Sequence, residues 1–399
     1  MRTEGGIRMG KVEGEGVIYL DHAATSWPKP QEVTDAVVQA MLRDAANPGR
    51  GSHGMAVRAS RILFDARKVL SKLFNIRNPN DIAFTSNTTM GLNMAIKGWL
   101  NPGDHVIATS VEHNAVRRPL HYLEQTIGIE VTYIEADAHG MIKLDDVRDA
   151  IQPNTTLAIV NHSSNVLGTI LPLAEIGELL KSKDVKLLVD AAQSAGVLPL
   201  DVMAMGIDML AFPGHKGLLG PQGTGGLYIA PDIEFEPLLH GGTGSKSEIP
   251  EQPLIRPDRY EAGTQNTPGV AGLKAGVQYV LSETVERIYA KEWALTQRLM
   301  GQLASIEGIT LLGPALGEAR TGIVSFIVDS IDPSELSFIL DQHYNIAIRA
   351  GFHCSPLAHQ AAGTTGTGAV RASVGAFTTN EEIDALASAM AEITKQYKL

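Results

Sequence analysis

Short apolar runs alternate along the first two-thirds of the chain with longer segments whose apolar residues recur at helical spacing. Residues 105–109, 131–134, 157–161, 186–190, 209–212 and 226–229 read as strands. Between them, 88–98, 113–126, 143–151 and 173–182 read as helices. Strands that are apolar throughout and separated by helices predict an α/β fold with a mostly parallel sheet covered on both faces. Ligands of such sheets bind outside the carboxyl ends of the strands. Asp190 falls at one such end, His162 and Asn165 follow another, and Glu112-His113-Asn114 closely follow a third.

After Pro268 the pattern changes. A long helical stretch, 270–306, precedes strand candidates at 322–328, 346–349 and 370–373, with helices at 334–342 and 381–397. This predicts a large domain over 31–267, a smaller α+β domain over 268–399, and an N-terminal segment, 1–30, packing with the smaller one. Residues 361–368 are all small and lack apolar anchors, which predicts a mobile loop.

Of the 399 residues 44% are apolar, enough for a large core and against disorder. The 33 basic and 44 acidic side chains give a net charge of −11, and no basic run offsets it, which argues against nucleic-acid binding. The single cysteine, Cys354, permits no internal disulfide and suits a reducing compartment. No segment has the length of a membrane span, and residues 1–16 lack the apolar core of a signal peptide. A cytoplasmic location is expected.

The pair Asp190 and Lys216 carries the first chemistry. A lysine amine can condense with an aldehyde cofactor, and a carboxylate at the end of a buried strand can hold that cofactor's pyridine nitrogen protonated. Taken alone, such an Asp is more often a helix cap and such a Lys a solvated loop cation. Residues 85–89 end a strand and open a helix, where free N–H groups and hydroxyls suit a phosphate. The glycine-rich stretch 241–247 lacks the GK[ST] order of a P-loop, and no G-x-G-x-x-G follows a strand. No two of the 12 histidines have H-E-x-x-H spacing, so no metal site is expected. Cys354 has Arg349, His353 and His359 close in sequence, and positive neighbours raise the thiolate fraction of a cysteine. Arg371, inside a strand-like run, needs an anionic partner if buried.

In this order, these pieces resemble the cysteine desulfurases, within the class V aminotransferase group of fold-type I pyridoxal phosphate (PLP) enzymes. The likeness runs from Tyr19-Leu20-Asp21-His22-Ala23-Ala24-Thr25 to the helix start at Asn380. Between them lie Asn47-Pro48, Ser52-His53, Thr88-Thr89, Glu112-His113-Asn114, residues 164–168, Asp190-Ala191-Ala192-Gln193, Gly214-His215-Lys216, Glu261-Ala262-Gly263-Thr264 and the Cys354 segment. The resemblance implies a seven-stranded, mostly parallel sheet in the large domain. It implies that Lys216 holds PLP and shuttles protons, Asp190 pairs with the pyridine N–H, and Gln193 bonds the phenolic oxygen. His113 would stack on the ring and take part in catalysis. Thr89 and His215, beside Thr88, would bind the phosphate, with Thr264 supplied by the second subunit of a homodimer. Asn165, next to the cofactor, would hold the substrate carboxylate with Arg371 and Arg349. Cys354 would take the sulfur.

The implied reaction converts L-cysteine to L-alanine. The Cys354 persulfide would then pass its sulfur to a small SufE- or SufU-like carrier for iron–sulfur cluster assembly. The short interval from Cys354 to Arg371 is similar to that of the second desulfurase group, with its SUF-type enzymes and selenocysteine lyases. Selenocysteine lyase, cysteine sulfinate desulfinase and cystine C–S lyase activities, on the same scaffold, are the alternatives. Three positions depart from the family pattern: Pro213 for Ser or Thr, Met90 for Glu, and Phe352 for His.

Overall fold

The computed structural model describes residues 16–44, 46–49, 51–329 and 331–397; the remainder of the N-terminal stretch, 1–15, lies outside the described residues. Seven strands form the main sheet in the order Ile82–Thr85, Gly225–Ile229, Met209–Pro213, Lys186–Asp190, Thr155–Asn161, His105–Thr109, Glu130–Ile134. Six run in one direction, and only Gly225–Ile229 is antiparallel to its neighbours. The central strands are buried on both faces, which is why they read as unbroken apolar runs. Leu92, Ile96, Val116, Leu120, Ile176 and Leu180 from the covering helices join them in one core.

A second core lies around a four-stranded antiparallel sheet, ordered Arg349–Gly351, Ala369–Ser373, Ile323–Val328, Ile309–Leu312. The helices Val285–Ala304 and Asn380–Tyr397 cover it with Leu295, Leu299, Leu386 and Met390. Ile18–Tyr19 pairs in parallel with Ile346–Ala347, and Leu20 enters this second core.

Three elements differ from the sequence pattern. The stretch 270–306 is two helices, Thr267–Glu283 and Val285–Ala304. Thr284 breaks it with a φ of 67°, its hydroxyl capping the second helix at Arg287 N–H. The run 346–349 is divided between two sheets, because Ile346–Ala347 pairs with the N-terminal strand while Arg349 begins the next one. The segment 361–368 opens on the last residue of the helix Pro356–Ala361 and is held at Thr364 and Gly368, while Gly363, Thr365, Gly366 and Thr367 are exposed. Thr364 is buried against His359 Nδ1 at 2.8 Å, and a Cβ on Gly368 would stand 2.7 Å from the Gly351 backbone. At Gly368 the missing side chain permits that approach.

Candidate active site

A cavity of about 110 Å³ opens where three parallel strands end, walled by their last residues Asn161, Asp190 and Pro213. Thr88, Thr89, His113, Asn165, Gln193, His215 and Lys216 complete most of its lining. At one end the helix Thr88–Trp99 begins. Asn87 Oδ1 caps it by accepting Met90 N–H at 2.9 Å, while the N–H groups of Thr88 and Thr89 have no acceptor among the described residues. Free donors at the positive end of a helix form an anion site.

Asp190 is buried, and its Oδ1 accepts Ala192 N–H at 2.8 Å. Burial pushes the carboxyl up to about 6, against that hydrogen bond and the charge of Lys216. Lys216 follows a turn that requires glycine. Gly214 N–H donates to Thr224 O at 2.8 Å, and a Cβ on Gly214 would stand 2.0 Å from Thr224 Oγ1. Ser26 Oγ donates to the carbonyls of His215 and Lys216 at 3.1 and 2.9 Å, and Lys29 Nζ donates to His215 O at 2.8 Å. The Lys216 amine itself has no hydrogen bond or ion pair among the described residues. Burial, followed by the Arg371 charge, lowers it to about 8. Burial also lowers His113 and His215 to about 4, so both rings are neutral at neutral pH. His113 Nδ1 accepts Ala115 N–H at 3.0 Å, and Gln193 Nε2 donates to Ala23 O at 3.0 Å.

Beside the cavity stands a pair of arginines. Arg349 and Arg371 are directly opposite on antiparallel strands, so two cations share one face, which costs energy unless an anion lies between them. Asp21 Oδ1 meets Arg371 Nη2 at 2.8 Å, and Arg371 Nη1 donates to Asn165 O at 3.0 Å. Arg371 Nε is buried without an acceptor, and the Arg349 side chain has no partner among the described residues. Unmet guanidinium donors suit a carboxylate.

Cys354 is exposed, on the loop between the strand Arg349–Gly351 and the helix Pro356–Ala361. Its carbonyl accepts Asn114 N–H at 2.8 Å. Asn165 brackets it: Nδ2 donates to His353 O at 2.6 Å, and Oδ1 accepts the Ser355 hydroxyl at 2.7 Å. The expectation that His353 and His359 add positive charge near the thiol is corrected. Burial lowers both, His353 to about 3, so both are neutral and Arg349 is the one cation of the three. Thr264 is exposed, and neither it nor Cys354, Arg349 or Arg371 lines the cavity. Asp21, Ser26, Lys29 and Ser355 were missed by the residue reading. Asp21 lies within the Tyr19–Thr25 landmark and Ser26 adjoins it, but the contacts that bring them to the site, with Arg371 and with the carbonyls of His215 and Lys216, are remote in sequence.

A half-buried lysine with no partner among the described residues, sharing a cavity with a strand-end carboxylate and an open helix N-terminus, suits an aldehyde cofactor that also bears a phosphate. Residues 18–386 match the family model described as aminotransferase class-V. A probable cysteine desulfurase of Methanothermobacter thermautotrophicus is 37% identical over 384 residues, covering 94% of each chain. The apo structure of a cysteine desulfurase from Thermococcus onnurineus superposes with a TM-score of 0.89 at 34% identity, covering 96% of both chains. The crystal structure of an Escherichia coli cysteine desulfurase in an S-sulfonic acid form does so with a TM-score of 0.85 at 28% identity, again over 96% of both. The chain belongs to the cysteine desulfurase family of the class V aminotransferases.

Enzymes of this family depend on PLP, and the residues present fit it. The free amine of Lys216 answers its aldehyde, the buried Asp190 carboxylate its ring nitrogen, and the open N–H groups of Thr88 and Thr89 its phosphate. Pro213 offers no hydroxyl at the cavity wall.

Proposed function

We propose that the protein is a PLP-dependent cysteine desulfurase, converting L-cysteine to L-alanine and capturing the sulfur as a persulfide on Cys354. One observation carries this reading. The chain's sole thiol is exposed on a loop whose flanking residues bond to Asn165, a residue of the lysine cavity wall.

Bound at Lys216, PLP supplies an electron sink that makes the substrate Cα–H acidic and weakens its Cβ–S bond. Asp190 holds the ring nitrogen's proton, and a cationic partner there keeps the carboxylate ionised despite its burial. His113, neutral and fixed through Nδ1, presents its ring to the cofactor. Gln193, whose Nε2 has a second N–H besides the one given to Ala23 O, would donate to the phenolic oxygen. Thr88, Thr89 and His215 hold the phosphate, and Thr264 of a second copy completes that contact. Arg371, Arg349 and Asn165 take the substrate carboxylate, which adds a second anion beside Asp21 for the two facing arginines and an acceptor for the unmet Arg371 Nε.

Lys216 then acts as base. With its amine lowered to about 8, roughly one in ten is neutral at pH 7, against about one in a few thousand for an ordinary lysine. The Cys354 thiolate attacks the substrate sulfur. A new S–S bond forms, the Cβ–S bond breaks, and its electron pair stays on carbon, which takes up a proton to give alanine. The protein sulfur is oxidised to the persulfide level as the substrate carbon is reduced, so no external oxidant enters.

The reading extends to a homodimer, a small SufE- or SufU-like sulfur acceptor, a cytoplasmic setting, and a division into domains near residues 30 and 267. Among the described residues no helix is long and apolar enough to cross a membrane. The test is Cys354→Ala supplied with L-cysteine and reductant. Alanine and sulfide should fall together, while the cofactor absorbance, lost in Lys216→Ala, stays. Undiminished sulfide release from Cys354→Ala overturns the thiol's role.

A further inference from the structure

We propose that Ser355 is a positioning residue, and that its bond with Asn165 is one tie of a clamp on the Cys354 loop which the substrate's carboxylate loosens at a second tie. This rests on the desulfurase reading and adds a coupling between substrate arrival and movement of the thiol.

Asn165 spends both ends of its side-chain amide on the loop: Nδ2 on His353 O at 2.6 Å and Oδ1 on the Ser355 hydroxyl at 2.7 Å. Ser355 is fully buried, so this hydroxyl has no water to fall back on. A third tie, from Asn114 N–H to Cys354 O at 2.8 Å, docks the loop on the start of the helix that His113 caps. The clamped backbone is strained. His353 and Cys354, neither of them glycine, hold consecutive φ values of 47° and 60° in the left-handed region. In this docked position Cys354 is exposed and stands outside the lysine cavity wall. The docked loop is the resting position, from which the clamp's opening brings Cys354 toward a sulfur held in that cavity.

The release signal is built into the same residue. Asn165 lines the cavity, and its own carbonyl accepts from Arg371, whose buried Nε has no acceptor. A carboxylate seated on Arg371 therefore lies beside Asn165. It is a stronger acceptor for Nδ2 than the neutral His353 carbonyl. Losing that bond leaves the strained segment held by Ser355 and Asn114 alone.

The experiment uses the holoenzyme and L-alanine, which carries the same carboxylate and amine without sulfur. Hydrogen exchange is followed at Asn114, whose amide bonds Cys354 O, and across 352–355. L-Alanine should speed exchange at both places several-fold in the wild-type protein. Ser355→Ala should show the fast exchange without ligand, and its KM for L-cysteine should fall, because the substrate no longer has to open the clamp. Ser355→Thr, which keeps the hydroxyl, should restore both. Unchanged or slowed exchange with L-alanine in the wild-type protein overturns the proposal, as does a raised KM in a folded Ser355→Ala. Absence of any alanine from L-cysteine would instead defeat the desulfurase reading, and the exchange measurement would still report on the clamp.

Discussion

Asp21→Asn removes one negative charge while keeping shape and an acceptor. Its partner Arg371 has a side chain only 2% exposed, against 20% for Asp21, at 2.8 Å. Breaking a fully buried ion pair from one side costs about 3–5 kcal/mol. The partial exposure of Asp21 and the acceptor that Asn retains bring this to about 2–3 kcal/mol. Arg349 sharpens the effect, since it faces Arg371 across the strand pair and no second carboxylate contacts either guanidinium among the described residues. A bound carboxylate ligand should return the missing anion. Urea denaturation of the variant should therefore show a stability loss of that size, and L-alanine should stabilise the variant more than the wild-type protein. A variant within about 0.5 kcal/mol of wild type, the scatter of ordinary surface changes, would refute the electrostatic account of the arginine pair.

Reconstitution of the apoprotein with PLP should speed up as pH rises and level off above about 8, because only the neutral Lys216 amine condenses with an aldehyde; a rate still climbing toward the ordinary lysine range would contradict the lowered value. The buried Glu292 carboxyl is pushed from 4.5 up to about 8 by burial. Between those values the folded state keeps a proton that the unfolded chain releases, so stability falls as pH rises through that window. Glu292→Gln should flatten that fall, measured by urea midpoints across the window. Gly214→Ala places a methyl 2.0 Å from Thr224 Oγ1 and should displace His215 and Lys216, so cofactor absorbance should weaken more than the far-ultraviolet circular dichroism does.

The parallel sheet was legible because doubly buried strands must be apolar throughout, and 157–161 and 186–190 are. Asp190 was expected at a strand end and does end its strand, at the cavity that Lys216 also lines. The helix break at Thr284 was not, since the apolar period runs through it and the break rests on one residue's backbone angle. The ties of Asp21 to Arg371 and of Ser355 to Asn165 were hidden for another reason. They join residues 350 and 190 positions apart, and nothing in the local sequence marks such a pair. The charge of His353 and His359 was misjudged because burial, which sequence spacing does not report, decides their protonation.

The most direct measurement is the intact mass of the holoenzyme after one brief turnover with L-cysteine and no reductant, with alanine quantified alongside. Cys354 is the chain's sole cysteine, so any added sulfur has one thiol to occupy. One added sulfur atom per chain, matched by one alanine and removed by reductant, is expected. Alanine formed in stoichiometric amount by chains of unchanged mass would contradict sulfur capture on Cys354.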